Sequence, residues 1–583
     1  MSRCLAIAVA LASLAACRAQ PRPRPSGPLI TTGEQSKWLR TGRYDEAVRL
    51  CHDFAATYDG VRCDEIGRTL QDRPIVALEI SRAPGKPTIY VQAGVHAGEI
   101  EGKDAGFWFV RDLLDGKVAP GALAAVNIVF VPCINPDGHE RFGANNRPNQ
   151  RGPEEMGFRT NGVRMNINRD FMKADSTEML AVLGVVRERD PIVFVDLHAT
   201  DGAKFEHDIA VLVGPVAPRI DPLDETGATL SAHMQQRLTA LGHLPLSFYP
   251  SFEVDDDPAS GFAVGDAPPR FSQGYAAVRS RLGILVETHS WRTYKERALS
   301  TYHVLQALFE HSTSQAATWH ASALEADRSD QALRGQTLTL DWDNGPHVTE
   351  LEFRGYAYEK RTSEISGGAW IQYDETKPQI WKIPLRDEVV PKITVTVPRE
   401  GYVIDGGFAA LVAPVLERHG IQYTRIAGQP KLALETFRAS QVAFDPPYEG
   451  RTRVKLQGAW SPETRRLDQG AIFVSLQQRT VRLIVHLLDP AGPDSLAQWG
   501  HVVTAFERKE YMESYVAEEV AREALAKDPA LRAQFDAAVA ADAELAKSPR
   551  KKLEWFYRRH PAWDERYNLL PIYKTDREPP LAR

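Results

Sequence analysis

The chain has 583 residues, 43% of them hydrophobic and 25% charged, an ordinary balance for a soluble globular protein. At about 100–200 residues per domain it is expected to hold two to four units. A net charge of -6 offers no electrostatic case for a nucleic-acid partner, and beyond the N-terminus no stretch reaches the roughly 18 apolar residues of a membrane-spanning helix.

In chain order, residues 1–19 pair Arg3 with a short apolar run and read as a secretory signal. The segment contains Leu14-Ala15-Ala16-Cys17, which resembles a bacterial lipobox; there the cysteine is lipidated and becomes the mature N-terminus. Ordinary cleavage after Ala19 is the other reading. Both imply export, to a bacterial periplasm, to a membrane through a lipid on Cys17, or out of the cell. Residues 20–35 are Pro-rich and read as a tether. Cys51 and Cys63 form either a disulfide in an oxidising compartment or two buried thiols. There is no Cys-rich zinc site.

Residues 36–325 alternate short apolar strands with helical patterns. The strands are predicted at Thr88–Ala93, 126–132, 192–197, 210–213 and 284–286. Continuous apolar runs of this length suit a sheet covered on both faces. Glu101–Leu114 carries Ala105, Trp108, Phe109 and Leu113 at helical spacing. The alternation predicts an α/β/α layered domain. The long loop 254–269, with Asp255, Asp256 and Asp257, either overhangs a cleft or is a solvated surface loop. Residues 335–400 are predicted to be a small β-rich domain opening with a hairpin of 337–342 and 348–353. Residues 401–583 form an accessory region, helix-to-strand over 402–426 and mostly helical from Trp499. Its aromatic cluster Trp555, Phe556, Tyr557 and Trp563 is expected to pack an amphipathic helix, with a ligand platform as the alternative.

The chemistry concentrates at strand ends. Strand Thr88–Ala93 runs into Gly94-Val95-His96-Ala97-Gly98-Glu99, where two glycines permit a tight turn. Ligands gather at the carboxyl ends of strands in open α/β sheets. Asp196-Leu197-His198 closes another apolar run and supplies a third candidate ligand. Two histidines and one glutamate leave a fourth zinc position open, the arrangement of a catalytic site. The His-x-x-Glu pair alone is a weak signal; its order with a second strand-end histidine is a stronger one.

Gly94–Glu99, Asn135-Pro136-Asp137-Gly138, Asn168-Arg169 and Val286-Glu287 occur in the order seen in zinc carboxypeptidases related to carboxypeptidase A. The chain resembles that family over roughly residues 40–320. The resemblance implies a mixed central sheet, one zinc ion per chain on His96, Glu99 and His198, and a peptide substrate with a free C-terminus. It implies that Asn168 and Arg169 bind the substrate carboxylate, that Arg159 stabilises the oxyanion (Arg147 and Arg151 being rivals), and that Glu287 is the general base. Tyr275 is the nearest match to the family's mobile tyrosine.

The chain also departs from the pattern. Asn166 stands where the family often has an aspartate holding a zinc-bound histidine; its amide can still accept from an imidazole, without charge. Thr288-His289 follows Glu287 where the family often shows Leu-Arg, leaving His289 as an extra donor or a loop residue. Asp137 reads as structural. Two other functions stay open: a zinc amidohydrolase of cell-wall peptides or N-acyl amino acids, and a peptide-binding lipoprotein without catalysis.

Overall fold

The structure of the protein, a computed structural model, describes residues 25–82, 85–200, 202–216 and 222–582. The expected signal segment, Cys17 and the start of the tether lie outside the described residues. Nine strands come first: β1 (Val61–Arg68), β2 (Pro74–Ile80), β3 (Thr88–Ala93), β4 (Asn127–Val131), β5 (Val193–Thr200), β6 (Ile209–Gly214), β7 (Pro245–Leu246), β8 (Phe262–Ala263) and β9 (Leu282–His289). All but β8 form one sheet in the order β1-β2-β4-β3-β5-β9-β6-β7. β4, β3, β5 and β9 run parallel, while β1, β2 and β6 make antiparallel pairs, so the sheet is mixed as expected.

β3, β5, β6 and β9 are buried at every position, which is why they read as unbroken apolar runs. Helices Tyr44–Thr57, Glu101–Leu114, Pro222–Ala240 and Tyr294–Gln331 cover one face, and Thr177–Arg189 and Ser272–Val278 the other. This is the predicted α/β/α sandwich. The predicted helix Glu101–Leu114 forms with those bounds, burying Ala105, Phe109 and Leu113. The expected domain boundary at 325 falls inside the 38-residue helix Tyr294–Gln331.

Cys51 and Cys63 are joined in a disulfide that ties helix Tyr44–Thr57 to β1. Closing a loop of this length contributes about 3 kcal/mol by restricting the unfolded chain.

The β-rich unit holds β10 (Thr337–Asn344), β11 (Thr349–Thr362), β12 (Ala369–Arg386) and β13 (Val389–Thr396). The predicted hairpin of 337–342 with 348–353 does not form: β10 pairs with β13, and β11 with β12. The residues of the expected turn are bonded elsewhere. Asn344 Nδ2 donates to Val264 O at 2.7 Å, and Gly345 N donates to Glu388 O at 2.9 Å. Loop 254–269 is stapled to this unit, since β8 adds to β12 and Asp257 pairs with Lys360 at 2.7 Å.

Then follow β14 (Gly401–Ile404), β15 (Thr424–Arg425), β16 (Lys431–Tyr448), β17 (Arg451–Arg466), β18 (Ile472–Ser475) and β19 (Ile572–Thr575), one sheet in the order β15-β18-β14-β19-β16-β17. The expected helix-to-strand passage through 402–426 is helix Gly406–Arg418 and β15, and the strand β14 that precedes them was not expected. β19 returns to this sheet after the expected helical stretch. Trp555 and Phe556 pack against Phe535 of helix Pro529–Ala541, with ring centroids 5.2 Å and 4.8 Å away, a small core among the C-terminal helices themselves where packing on the preceding units was expected. Tyr402, Ile404, Val412 and Leu416 share one apolar cluster with Val182, Val186 and Phe194, so this unit packs directly on the second face of the large sheet. Among the described residues no helix is long and apolar enough to cross a membrane.

His419 bridges the two units. Its Nε2 donates to Met172 O at 2.9 Å, and its Nδ1 accepts from the Tyr275 hydroxyl at 2.8 Å, a pairing that only the neutral imidazole can make. Burial is the main cause that lowers its pKa from 6.5 to about 4, and burial with the nearby Arg451 lowers His501 to about 3. Below 6.5 the unfolded chain binds protons that the folded chain refuses. Stability is therefore full above that value and lost as pH falls toward 4. At about pH 5 each of the two histidines is expected to cost about 2 kcal/mol. The urea midpoint measured at about pH 7.5 and about pH 5 checks this, with His419→Gln expected to remove about half of the difference that the two histidines make.

Candidate active site

β3 ends at Ala93, and the chain turns at Gly94 with φ +68°, where a β-carbon would sit 2.8 Å from Cys133 Sγ. At Gly98 a β-carbon would sit 2.5 Å from Gly157 O. These two close approaches shape the turn that presents His96 and then Glu99, which donates its N–H to His96 O at 2.9 Å. β5 brings His198 from the adjacent strand end, and β9 sets Glu287 opposite His198 in parallel register.

The three predicted ligands converge. His96 Nδ1 lies 2.9 Å from Glu99 Oε1, and His198 Nδ1 lies 3.0 Å from Glu99 Oε2. One donor atom from each residue lies within 4.8 Å of the others. Each imidazole is backed on its far side: His96 Nε2 by Asn166 Oδ1 at 3.1 Å, and His198 Nε2 by Asp196 Oδ2 at 2.9 Å. At His96 the Asn166 oxygen accepts from Nε2 and leaves Nδ1 with the lone pair a metal needs, while at His198 Asp196 stands beside the ring as a charge partner. Asn166 thus meets His96 as an uncharged acceptor. Two imidazoles and one carboxylate, each oriented from behind, fit a zinc ion with a position to spare.

The charge state follows from burial and neighbours. Burial is the largest influence on His96 and lowers it to about 4, the neutral form a metal ligand requires. Burial would raise Glu99, but His96, Arg147 and the bond from His198 outweigh it and hold the carboxyl well below its usual range. Burial also opposes charge on His198, yet Asp196 and Glu99 push it well above the ordinary imidazole value. A metal taking this place displaces the His198 proton.

Next to the ligand cluster, Asn166 Oδ1 also accepts from Asn168 N at 3.1 Å, opening the short turn Ile167–Arg169. Asp170 locks the next bend, accepting from Lys173 Nζ, Asp175 N and Ser176 N at 2.6–3.0 Å. Asn168 is 8% exposed, and its Oδ1 is buried with no protein partner among the described residues.

Residues 47–200 match the zinc carboxypeptidase family, Peptidase_M14. Over that stretch the chain is similar to a zinc carboxypeptidase domain. Mouse carboxypeptidase A4 is 33% identical over 110 residues, which are 18% of this chain and 26% of that protein. Carboxypeptidase E of Caenorhabditis elegans is 28% identical over 153 residues, 24% of this chain and 28% of that one. The chain thus spans about a quarter of the length of these curated relatives. Among solved structures, a metallo-carboxypeptidase of Burkholderia cenocepacia is similar at 17% identity and a TM-score of 0.35, over 45% of this chain and 68% of that chain. Carboxypeptidase A of Helicoverpa armigera is similar at 15% identity and a TM-score of 0.35, over 48% and 74%.

The fold separates the three rival arginines. Arg151 is drawn away to Glu375, at 2.6 Å and 2.8 Å. Arg147 is buried and donates to Glu99 Oε1 at 2.7 Å. Arg159 stands 3.8 Å from the same oxygen with its side chain 37% exposed. Asp137 accepts from Thr69 Oγ1 at 2.8 Å and Arg73 at 2.6 Å, a structural role as expected.

His289 ends β9 and stacks on Phe205 with centroids 4.1 Å apart. Neither of its ring nitrogens has a partner among the described residues, and burial with nearby Arg292 lowers it to about 3, a neutral ring. Tyr275 is not at the site. It is 1% exposed in the core beneath the sheet, and its hydroxyl is taken by His419 at 2.8 Å. Its apparent match came from order along the chain, whereas helix Ser272–Val278 turns this side chain inward. The residues that sequence reasoning missed are Tyr448 and Glu449, which reach Arg169 and Asn166 from the C-terminal sheet. They lie far from the other motifs in the chain, and no local signal marks them.

Proposed function

We propose that this chain is a zinc metallocarboxypeptidase that hydrolyses the peptide bond next to a free C-terminal carboxylate. The observation that carries the reading is the convergence of His96 Nδ1, His198 Nδ1 and the Glu99 carboxylate, with both imidazoles backed by oxygens. His96, Glu99 and His198 would hold one zinc ion, which when bound would acidify a water and polarise the scissile carbonyl. Glu287, opposite His198, takes the proton of the attacking water and returns it to the leaving amine. Arg159, the more exposed of the two arginines beside Glu99, faces the developing oxyanion. Asn168 and Arg169 hold the terminal carboxylate, with the buried Asn168 amide and the planar guanidinium as its partners. Residues 1–19 support export, with a lipid on Cys17 as the attachment.

The test is mass spectrometry of peptides incubated with the zinc-loaded protein. Stepwise loss of residues from free C-termini, with amidated peptides spared, is expected. Internal cuts, or equal cutting of amides, would overturn the reading.

Arg169→Lys sharpens it. Lysine keeps the charge and loses the bidentate fork. KM for free-acid peptides is expected to rise about tenfold, with the weak binding of the amides, measured as inhibitors, almost unaffected. Equal effects on both would remove Arg169 from carboxylate binding.

A further inference from the structure

The C-terminal sheet reaches back to the catalytic face through one hairpin. β16 and β17 are joined by only Glu449 and Gly450, with φ +48° and +77°. Positive φ at both central residues marks a type I′ turn, which favours Asn, Asp or Gly. A glutamate there bears backbone strain that glycine would avoid. What the glutamate contributes is its carboxylate, whose Oε2 accepts the backbone N–H of Asn166 at 2.7 Å. Asn166 is the residue that backs His96. The hairpin therefore brings a carboxylate beside the position where this chain has an amide, from 283 residues further along.

Tyr448, the neighbour of Glu449, accepts from Arg169 Nε at 3.2 Å. The Arg169 guanidinium also lies over the Phe271 ring at 4.3 Å, and its Nη1 donates to Asn168 O at 2.9 Å. Nη2 has no partner among the described residues, which leaves donor capacity for an incoming carboxylate. The tip itself is pinned. Arg451 makes two bonds to Asp175, at 2.8 Å and 2.6 Å, and the Tyr448 ring stacks on Trp499 with centroids 6.1 Å apart.

We infer that the β16–β17 tip is a built-in part of the active site, with Tyr448 and Glu449 as positioning residues for Arg169 and Asn166. The inference rests on the reading that Arg169 meets the substrate's terminal carboxylate. A free arginine side chain has many rotamers, and holding it in one plane before the ligand arrives removes an ordering cost from binding. Tyr448 and Phe271 hold that plane. Glu449 holds the Asn166 backbone, and with it the turn that presents Asn168 and Arg169. The C-terminal unit is in this way a contributor of site residues as well as a brace for the catalytic unit.

The experiment measures affinity by calorimetry in the zinc-loaded full chain carrying Glu287→Gln, so that turnover does not interfere. The probes are an N-acetylated tripeptide with a free C-terminus and its C-terminal amide. The parent is expected to prefer the acid. Tyr448→Phe and Glu449→Gly are each expected to cut that preference about three- to tenfold. Their melting temperatures should hold, and that of Glu449→Gly should hold or rise, because glycine relieves the strain at φ +48°. A preference within about twofold of the parent in both variants overturns the inference. Lost preference with a clear fall in melting temperature in both also overturns it, by assigning the tip to fold maintenance. A parent that does not distinguish acid from amide overturns the carboxylate reading of Arg169 itself, and the inference with it.

Discussion

Glu287→Gln is expected to lower kcat by about 10²–10⁴-fold while zinc stays near one per chain. The change keeps the shape of the side chain and removes its basicity. Glu287 lies opposite His198 on the neighbouring strand and outside the three converging ligands, so metal binding should not depend on it. Substrate affinity should survive, because Arg159, Asn168 and Arg169 are untouched. A loss in kcat with little change in binding is the signature of an interaction made mainly in the transition state. Stopped-time assays on a free-acid peptide, with zinc measured on the same samples, decide it. Near-wild-type kcat would place the base elsewhere. Loss of zinc would make Glu287 a ligand and the three-ligand site wrong.

His198→Ala is expected to abolish activity and to weaken zinc binding by more than about 10²-fold. The protein offers three ligands, and removing one leaves His96 and Glu99 alone. The damage extends further, because Asp196 is buried behind His198 and Glu99 Oε2 accepts from it. Glu99 keeps Arg147, but Asp196 loses its cationic neighbour, and a buried carboxylate without one is destabilised. The melting temperature of the metal-free variant should therefore drop as well. Competition against a chelator of known affinity measures the first effect and a thermal scan the second. Zinc held stoichiometrically at wild-type affinity would falsify the ligand assignment.

The elements that were legible share a physical cause. β3, β5, β6 and β9 are central strands buried on both faces, so their sequences are continuous apolar runs whatever else surrounds them. Helix Glu101–Leu114 shows its periodicity because it buries one stripe against the sheet. β1 and the long β11 to β13 were harder. They are half exposed, and pairing there is set by bonds from distant residues such as Val264 and Glu388, which redirected the expected hairpin. The disulfide was open in the sequence for the same reason. Two cysteines have to be brought together by a helix and a strand before the pairing exists.

By itself the sequence determined the layered sheet and the strand-end placement of His96, Glu99, His198 and Glu287. Each of these is set by a local apolar pattern or a short motif, and the parallel register of neighbouring strands then carries the ligands together. Only the tertiary structure decided which arginines face Glu99, that Asp196 and Asn166 back the imidazoles, and that Tyr275 is turned into the core. It alone decided that Tyr448 and Glu449 reach Asn166 and Arg169. Those contacts join segments up to 283 residues apart. They exist because the C-terminal sheet shares an apolar core with the second face of the large one, and that packing leaves no periodic trace in the chain.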